Sequence, residues 1–428
     1  MKIKTIQSTY EQVMALPRPA RWKPGKPNPL LSAVVRAASI PSLRKTRFTY
    51  TTQRMELAKD RPCLILMNHC SFTDMKLAFG IFYPKPFSIV CTVDSMVGIL
   101  GLLLRILGAI PTQKFVSDVS LIRDMEYMLK EKRTSVLMYP EAGYTFDGTA
   151  TTLPRKLGVL LKKLDVPVVT VITQGAFARD PLYNMIQLRK VKVSAHVKCL
   201  LTPEEIREKS VRELDEMLDR EFSFDNFAWQ RDNGIEITED FRADGLHRIL
   251  YKCPRCGTER AMEGKGIHLT CHHCGKQWEL TTLGQLKALD GQTEYPHIPD
   301  WYAWQRACVR QELEAGTYGL EADVRIGMMV DYKGLYMVGR GHLSHGPEGF
   351  RLTGSDGKLH YEQGPLACHS LNADFYWYEI GDVIGIGNQD ALYYCFPEDD
   401  TPVAKARLAA EELYKLRKQR RRTADRNS

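Results

Sequence analysis

The sequence predicts an α/β domain with a mostly parallel sheet flanked by helices, then a four-cysteine ribbon, then a small antiparallel β domain ending in a helix. Three observations carry that prediction. Short apolar runs alternate with helical stretches between residues 62 and 173, two Cys-x-x-Cys-Gly knuckles occupy 253–275, and short β-type runs broken by Gly, Asp and Asn fill 322–396. At 428 residues the chain exceeds what one core usually organises. The expected division is a basic N-terminal arm with short helices at 1–50, the α/β domain at 51–235, the ribbon at 245–285 and the small β domain with its helix at 318–422.

Taken in order, 17–30 (PRPARWKPGKPNPL) holds five prolines and reads as a linker or extended arm. A short helix is expected over 32–40, stopping before Pro41. Residues 62–67 (PCLILM), 87–91, 135–139 and 166–173 (VPVVTVIT) are apolar runs typical of strands buried on both faces. Between them, 119–132 carries the apolar stripe of an amphipathic helix. Thr202 with Glu205 forms a capping box that opens a helix to about Phe222. Residues 246–252 alternate loosely and are expected to supply the first strand of the ribbon. Over 322–396 the tight-turn signals DYKG and GSDGK separate antiparallel strands, and a helix over 402–419 follows. Strands closed by one C-terminal helix resemble a pleckstrin-homology-like domain.

The formal net charge of +8 is unevenly spread: residues 1–50 hold ten Lys and Arg against one acid, Glu11, and the tail adds Arg417, Lys418, Arg420, Arg421 and Arg422. Basic ends suit an anionic partner, lipid headgroups or nucleic acid. No secretory signal is visible, and no apolar run reaches the length of a membrane span. Residues 96–110 (MVGILGLLLRILGAI), broken by Arg105, fit either a buried helix or one lying in a membrane interface. Eleven cysteines without a signal peptide read as cytosolic thiols plus a metal site.

The chemistry-bearing stretch directly follows the first buried run: Asn68-His69-Cys70-Ser71-Phe72-Thr73-Asp74. α/β proteins place reactive groups beyond the ends of parallel strands, and an imidazole there can accept a proton from a hydroxyl. Asp74 can hold that imidazole in one tautomer. On one continuous helix, side chains five residues apart lie roughly 140° apart, so the pair meets only if His69 sits in the turn and Asp74 in the first helical turn. The bland reading makes Ser71 and Asp74 a capping box and His69 a satisfied turn residue.

The segment resembles the first block, N-H-x-x-x-x-D, of the glycerolipid acyltransferases, the 1-acylglycerol-3-phosphate acyltransferase family. The family's later blocks follow in order. Gly108-Ala109-Ile110-Pro111-Thr112-Gln113-Lys114 is similar to G-x-x-F-I-x-R, Tyr139-Pro140-Glu141-Ala142-Gly143-Tyr144 to F-P-E-G-T-R, Lys156-Leu157-Gly158 to K-x-G, and Val166-Pro167-Val168-Val169 to the fourth block. The resemblance covers roughly 55–200. It implies transfer of an acyl group from acyl-CoA or acyl carrier protein to a lysophospholipid hydroxyl, with His69 as general base, Asp74 orienting it, and Gly108, Lys114, Glu141 and Lys156 binding the acceptor. Two departures stand out: Tyr144 occupies the place of the family's arginine, and Lys114 lacks the planar grip of Arg. Both leave the acceptor lipid open.

Cys253, Cys256, Cys271 and Cys274, with 14 residues between the knuckles, are spaced for a tetrahedral structural zinc, with iron as the minor alternative. The whole chain is therefore expected to work in phospholipid biosynthesis as a cytoplasmic protein held peripherally on the inner face of the cell membrane. Nucleic acid is not the expected partner. The alternative is a non-catalytic lipid- or nucleic-acid-binding protein using the ribbon and basic tails.

Overall fold

A computed structural model of the chain describes residues 2–116, 118–154 and 157–427. It divides into two compact units: 20–181 with 187–230, and 1–19 with 182–186 and 231–428.

The first unit is built on a sheet ordered Thr49–Gln53, Ser194–Leu201, Val168–Gln174, Leu64–Met67, Ser135–Met138, Phe87–Thr92, Ile110–Thr112. From Val168–Gln174 to Ile110–Thr112 all neighbours are parallel. Ser194–Leu201 runs antiparallel to Val168–Gln174, and Thr49–Gln53 joins it in parallel. Leu64–Met67 lies near the middle with all four side chains buried, as a strand covered on both faces requires. Leu64, Leu66, Val136 and Val168 meet Met125, Leu129, Leu161, Leu214 and Leu218 from the covering helices in one core.

Three strands were not anticipated, each for a local reason. Thr49–Gln53 (TYTTQ) is exposed along its length, Ile110–Thr112 has three residues including a proline, and Ser194–Leu201 carries His196 and Lys198 among its apolar residues.

The helices also depart from expectation. The helix expected over 32–40 runs Pro29–Lys45, straight through Pro41. Asn28 caps it by accepting from the Leu31 N–H at 2.9 Å, and Pro29 takes the first turn, where its missing N–H costs nothing. Leu43 packs against Gly80 of helix Asp74–Phe82, where a Cβ would come within 3.0 Å of Leu43 Cδ1. That tertiary contact carries the helix past a residue that removes a backbone hydrogen bond. The helix expected over 202–222 is two, Pro203–Glu208 and Val211–Glu221, because Ser210 and Glu213 form a second capping box. The 96–110 run becomes helix Gly98–Ile106, and its end belongs to strand Ile110–Thr112.

In the second unit the ribbon strands Met262–Lys265, His268–Cys271, Gln277–Leu280 and Leu286–Ala288 form an antiparallel sheet. Residues 246–252 do not supply its first strand. Leu246–Arg248 is a 3₁₀ turn and Lys252 makes an isolated bridge to Glu259, since the chain must already bend toward the first knuckle. Beyond helix Ile298–Ala315, two antiparallel meanders follow: Leu320–Met329 through Leu359–Gln363, and Asn372–Trp377 through Leu392–Pro397. They join where Leu320–Met329 pairs with Leu392–Pro397, and Thr5–Gln7 adds in parallel to Leu335–Gly346. Helix Val403–Asn427 closes the unit.

Candidate active site

His69 lies two residues past the end of Leu64–Met67, and Asp74 is the first residue of helix Asp74–Phe82. Four residues lie between them, and the turn they form lets the two side chains converge. His69 Nδ1 is 2.9 Å from Asp74 Oδ2. The same oxygen accepts the backbone N–H groups of Cys70 at 3.0 Å and Ser71 at 3.2 Å. An oxygen that takes two N–H donors is an acceptor, so the imidazole presents Nδ1–H to it and keeps Nε2 bare.

The turn is tied to its surroundings on every side. Asn68, wholly buried, donates from Nδ2 to the Thr173 carbonyl and accepts from the Thr173 N–H and hydroxyl, joining the ends of two neighbouring strands. Glu141, just past Ser135–Met138, accepts the His69 backbone N–H at 2.9 Å, and its other oxygen accepts the N–H and hydroxyl of Thr151. The Ser71 hydroxyl donates to Asp180, which pairs with Arg179 at 2.9 Å.

Burial dominates the electrostatics. It pushes His69 well below its ordinary value, with the Lys114 ammonium adding to the effect. It raises Asp74 to about 8 against the pull of the Ser71 and Cys70 N–H groups, and raises Asp180 to about 7. For His69 and Asp74 the two changes express one cost: a dry site resists any net charge on the pair. A carboxylate so placed can hold an imidazole in one tautomer, and a bare Nε2 can accept a proton from a hydroxyl.

Both faces of the imidazole are covered. The Tyr139 ring stacks at 4.0 Å between centroids and the Tyr144 ring at 3.8 Å, with Phe72 against the far side of Tyr144 at 5.1 Å.

Among the other sequence-predicted residues, Lys114 is half-buried and close enough for its charge to act on His69. Gly108 ends helix Gly98–Ile106 at φ +73°, and a Cβ there would sit 2.5 Å from the Gly25 carbonyl oxygen. Its place in the fold is therefore a close backbone crossing. Lys156 lies outside the described residues. Asn68, Tyr139, Tyr144, Thr173 and Asp180 were not picked out as site residues. A polar Asn ending an apolar run was a usable signal for the first, and tyrosines flanking Pro-Glu-Ala-Gly for the next two. Nothing in the local sequence points to Asp180.

In the second unit the four cysteine sulfurs lie within 4.8 Å of one another, with Cys253 to Cys274 and Cys256 to Cys271 both 3.8 Å. A tetrahedral ion with sulfur at about 2.3 Å has sulfur–sulfur edges of about 3.8 Å, so the cage fits zinc. The knuckles share one backbone pattern. The Gly257 N–H donates to the Cys253 carbonyl and the Gly275 N–H to that of Cys271, with φ +73° and +74° at the two glycines.

Residues 48–174 match the acyltransferase family model. A crystal structure of the 1-acyl-sn-glycerophosphate acyltransferase PlsC from Thermotoga maritima is similar at 18% identity and a TM-score of 0.37, covering 45% of this chain and 76% of that one. A search of curated proteins finds no match.

Proposed function

Starting from an acyltransferase domain at residues 48–174, we propose that this protein moves a fatty acyl group from an acyl thioester, acyl-CoA or acyl carrier protein, to the hydroxyl of a lysophospholipid in phospholipid biosynthesis. The observation that carries the reading is the 2.9 Å contact between His69 Nδ1 and Asp74 Oδ2 inside the matched segment. His69 Nε2 takes the proton of the acceptor hydroxyl, the oxygen attacks the thioester carbonyl, and the thiolate leaves with the proton returned by His69. Asp74 holds the tautomer and stabilises the imidazolium. Glu141 positions His69 through its backbone N–H, and the Lys114 ammonium meets negative charge on the acceptor.

An acceptor with a chain in a bilayer is met at its surface. Helix Gly98–Ile106 supports peripheral docking there. Ile99, Leu102, Leu103 and Ile106, spaced along one helix face, are 81%, 58%, 39% and 41% exposed. The Asn28 N–H, at the start of helix Pro29–Lys45 with its exposed Leu30 and Val34, donates to the Ile106 carbonyl, and Arg105 lies over Trp22. Among the described residues no helix is long and apolar enough to cross a membrane. The cysteine cage would hold a structural zinc, and the meanders with their closing helix support a pleckstrin-homology-like reading of the C-terminal part.

The test is turnover of acyl-CoA and acyl carrier protein thioesters with a panel of lyso-lipids. His69→Ala is expected to lower kcat by about 10²–10⁴. Equal turnover in the variant refutes the base assignment, whereas no turnover in the wild-type chain leaves the non-catalytic, lipid-binding reading.

A further inference from the structure

We propose that Tyr144, with Tyr139, is a positioning residue that clamps the His69 ring between two aromatic faces, keeps it dry and leaves the edge bearing Nε2 as its approach for the acceptor. The inference rests on His69 being the general base. It is carried by geometry around one side chain. Nδ1 is taken by Asp74, and the two ring faces by Tyr139 and Tyr144 at 4.0 and 3.8 Å. Those three sides are occupied and 16% of the side chain stays exposed, which leaves the edge bearing Nε2 as the approach.

The clamp is built by the segment that carries it. Residues 139–145 bond to both peptide groups of His69: Glu141 accepts its N–H, and the Thr145 N–H donates to its carbonyl at 3.3 Å. The chain turns between the tyrosines with the Ala142 N–H on the Tyr139 carbonyl and Ala142 at φ +57°. A left-handed residue other than glycine costs about 1 kcal/mol, and here it sends the rings to opposite faces of the imidazole. Tyr139 is held from within, its phenol pushed far above the ordinary range by burial, so it stays neutral. Tyr144 is half-buried and rests on Phe72, which is 47% exposed, so it is the jaw nearer the surface.

A dry clamp has a titration signature. The groups facing the pair are the Lys114 ammonium, the Glu141 carboxylate on the His69 N–H, the Cys70 thiol, Asp180 through Ser71 and the two phenols. The active form has Nε2 bare and Asp74 ionised, hence one negative charge on the pair. The form with one more proton is neutral. Burial disfavours the charged form, so the proton leaves only near pH 8, the raised value at Asp74, and activity rises as pH rises through that point. Admitting water by removing the Tyr144 ring stabilises the negative form and moves this limb to lower pH.

The experiment compares the full chain with Tyr144→Ala and Tyr144→Phe, by pH–kcat/KM profiles with an acyl-CoA and 1-acylglycerol-3-phosphate. An NMR titration of the His69 ring, assigned by its loss in His69→Gln, runs beside them. Tyr144→Ala is expected to move the limb down by about one unit, a tenfold change in the active fraction on its acid side, to lower limiting kcat about tenfold, and to shift the His69 Hε1 resonance downfield as the ring current is lost. Tyr144→Phe keeps all three at wild-type values. A His69 resonance and titration unchanged in Tyr144→Ala overturn the clamp, whatever the turnover. Turnover that survives in His69→Ala instead overturns the base assignment, while the ring resonance still reports on the clamp.

Discussion

The His69 turn and the cysteine cage are both constellations held by backbone N–H groups, yet they are assembled in opposite ways. The cage draws its four sulfurs from 22 consecutive residues, each knuckle repeating the same bond from a glycine N–H to a cysteine carbonyl. The His69 turn is fixed by Asn68 on Thr173, Glu141 on Thr151 and Ser71 on Asp180, so residues across more than a hundred positions converge at the ends of parallel strands. A local site draws its precision from covalent spacing and a bound ion. A strand-end site draws it from the sheet. The first should therefore fail by losing its ligand, the second by losing alignment while the fold persists.

Removing the zinc proposed for the cage should be the largest single perturbation. Structural zinc contributes on the order of 10 kcal/mol in small ribbon-type folds. Cys271→Ser is expected to bring metal content close to zero and to abolish the cooperative unfolding of residues 231–428, read by elemental analysis and calorimetry. Retention of full stability without metal would break the comparison. Next in size is Glu141→Ala, which strands the His69 and Thr151 N–H groups in a buried site. Expected are a loss of about 2–4 kcal/mol in denaturant unfolding and a kcat reduced by about 10–100-fold, with KM for the thioester little changed. A variant that loses stability but keeps kcat would show that Glu141 props the fold without aligning the base. The smallest effect belongs to Gly257→Ala. A Cβ there meets nothing within 4 Å, so only the left-handed φ of +73° opposes it, costing about 1 kcal/mol with metal still bound. A larger loss would mean that the knuckle is less self-contained than its geometry implies.

How legible each region was follows the same divide. The clustering of the four cysteines was readable from spacing, because a Cys-x-x-Cys-Gly knuckle is complete within five residues. His69 and Asp74 were readable as a pair because a five-residue turn suffices to bring them together. The split of the predicted 202–222 helix was also readable, since Ser210 with Glu213 is as plain a capping box as Thr202 with Glu205. The passage of Pro29–Lys45 through Pro41 was not, because what sustains it is Leu43 packed on Gly80 from another helix. The exposed strand Thr49–Gln53 left no apolar signature, and its pairing with Ser194–Leu201 depends on a partner well over a hundred residues away.

From its order of residues alone this chain determines an α/β domain with a histidine and an aspartate at a strand end, a four-thiolate cage, and antiparallel strands closed by a helix. Each is set by periodicities and spacings that act over a few residues. Tertiary structure alone decided that Glu141 turns inward onto the His69 peptide, that Asp180 meets Ser71, that two tyrosines enclose the imidazole, and that the 98–106 helix shows Ile99, Leu102, Leu103 and Ile106 to solvent. Those outcomes depend on how strand ends and loops are juxtaposed, and burial, the force that sets the protonation of His69 and Asp74, exists only once they are.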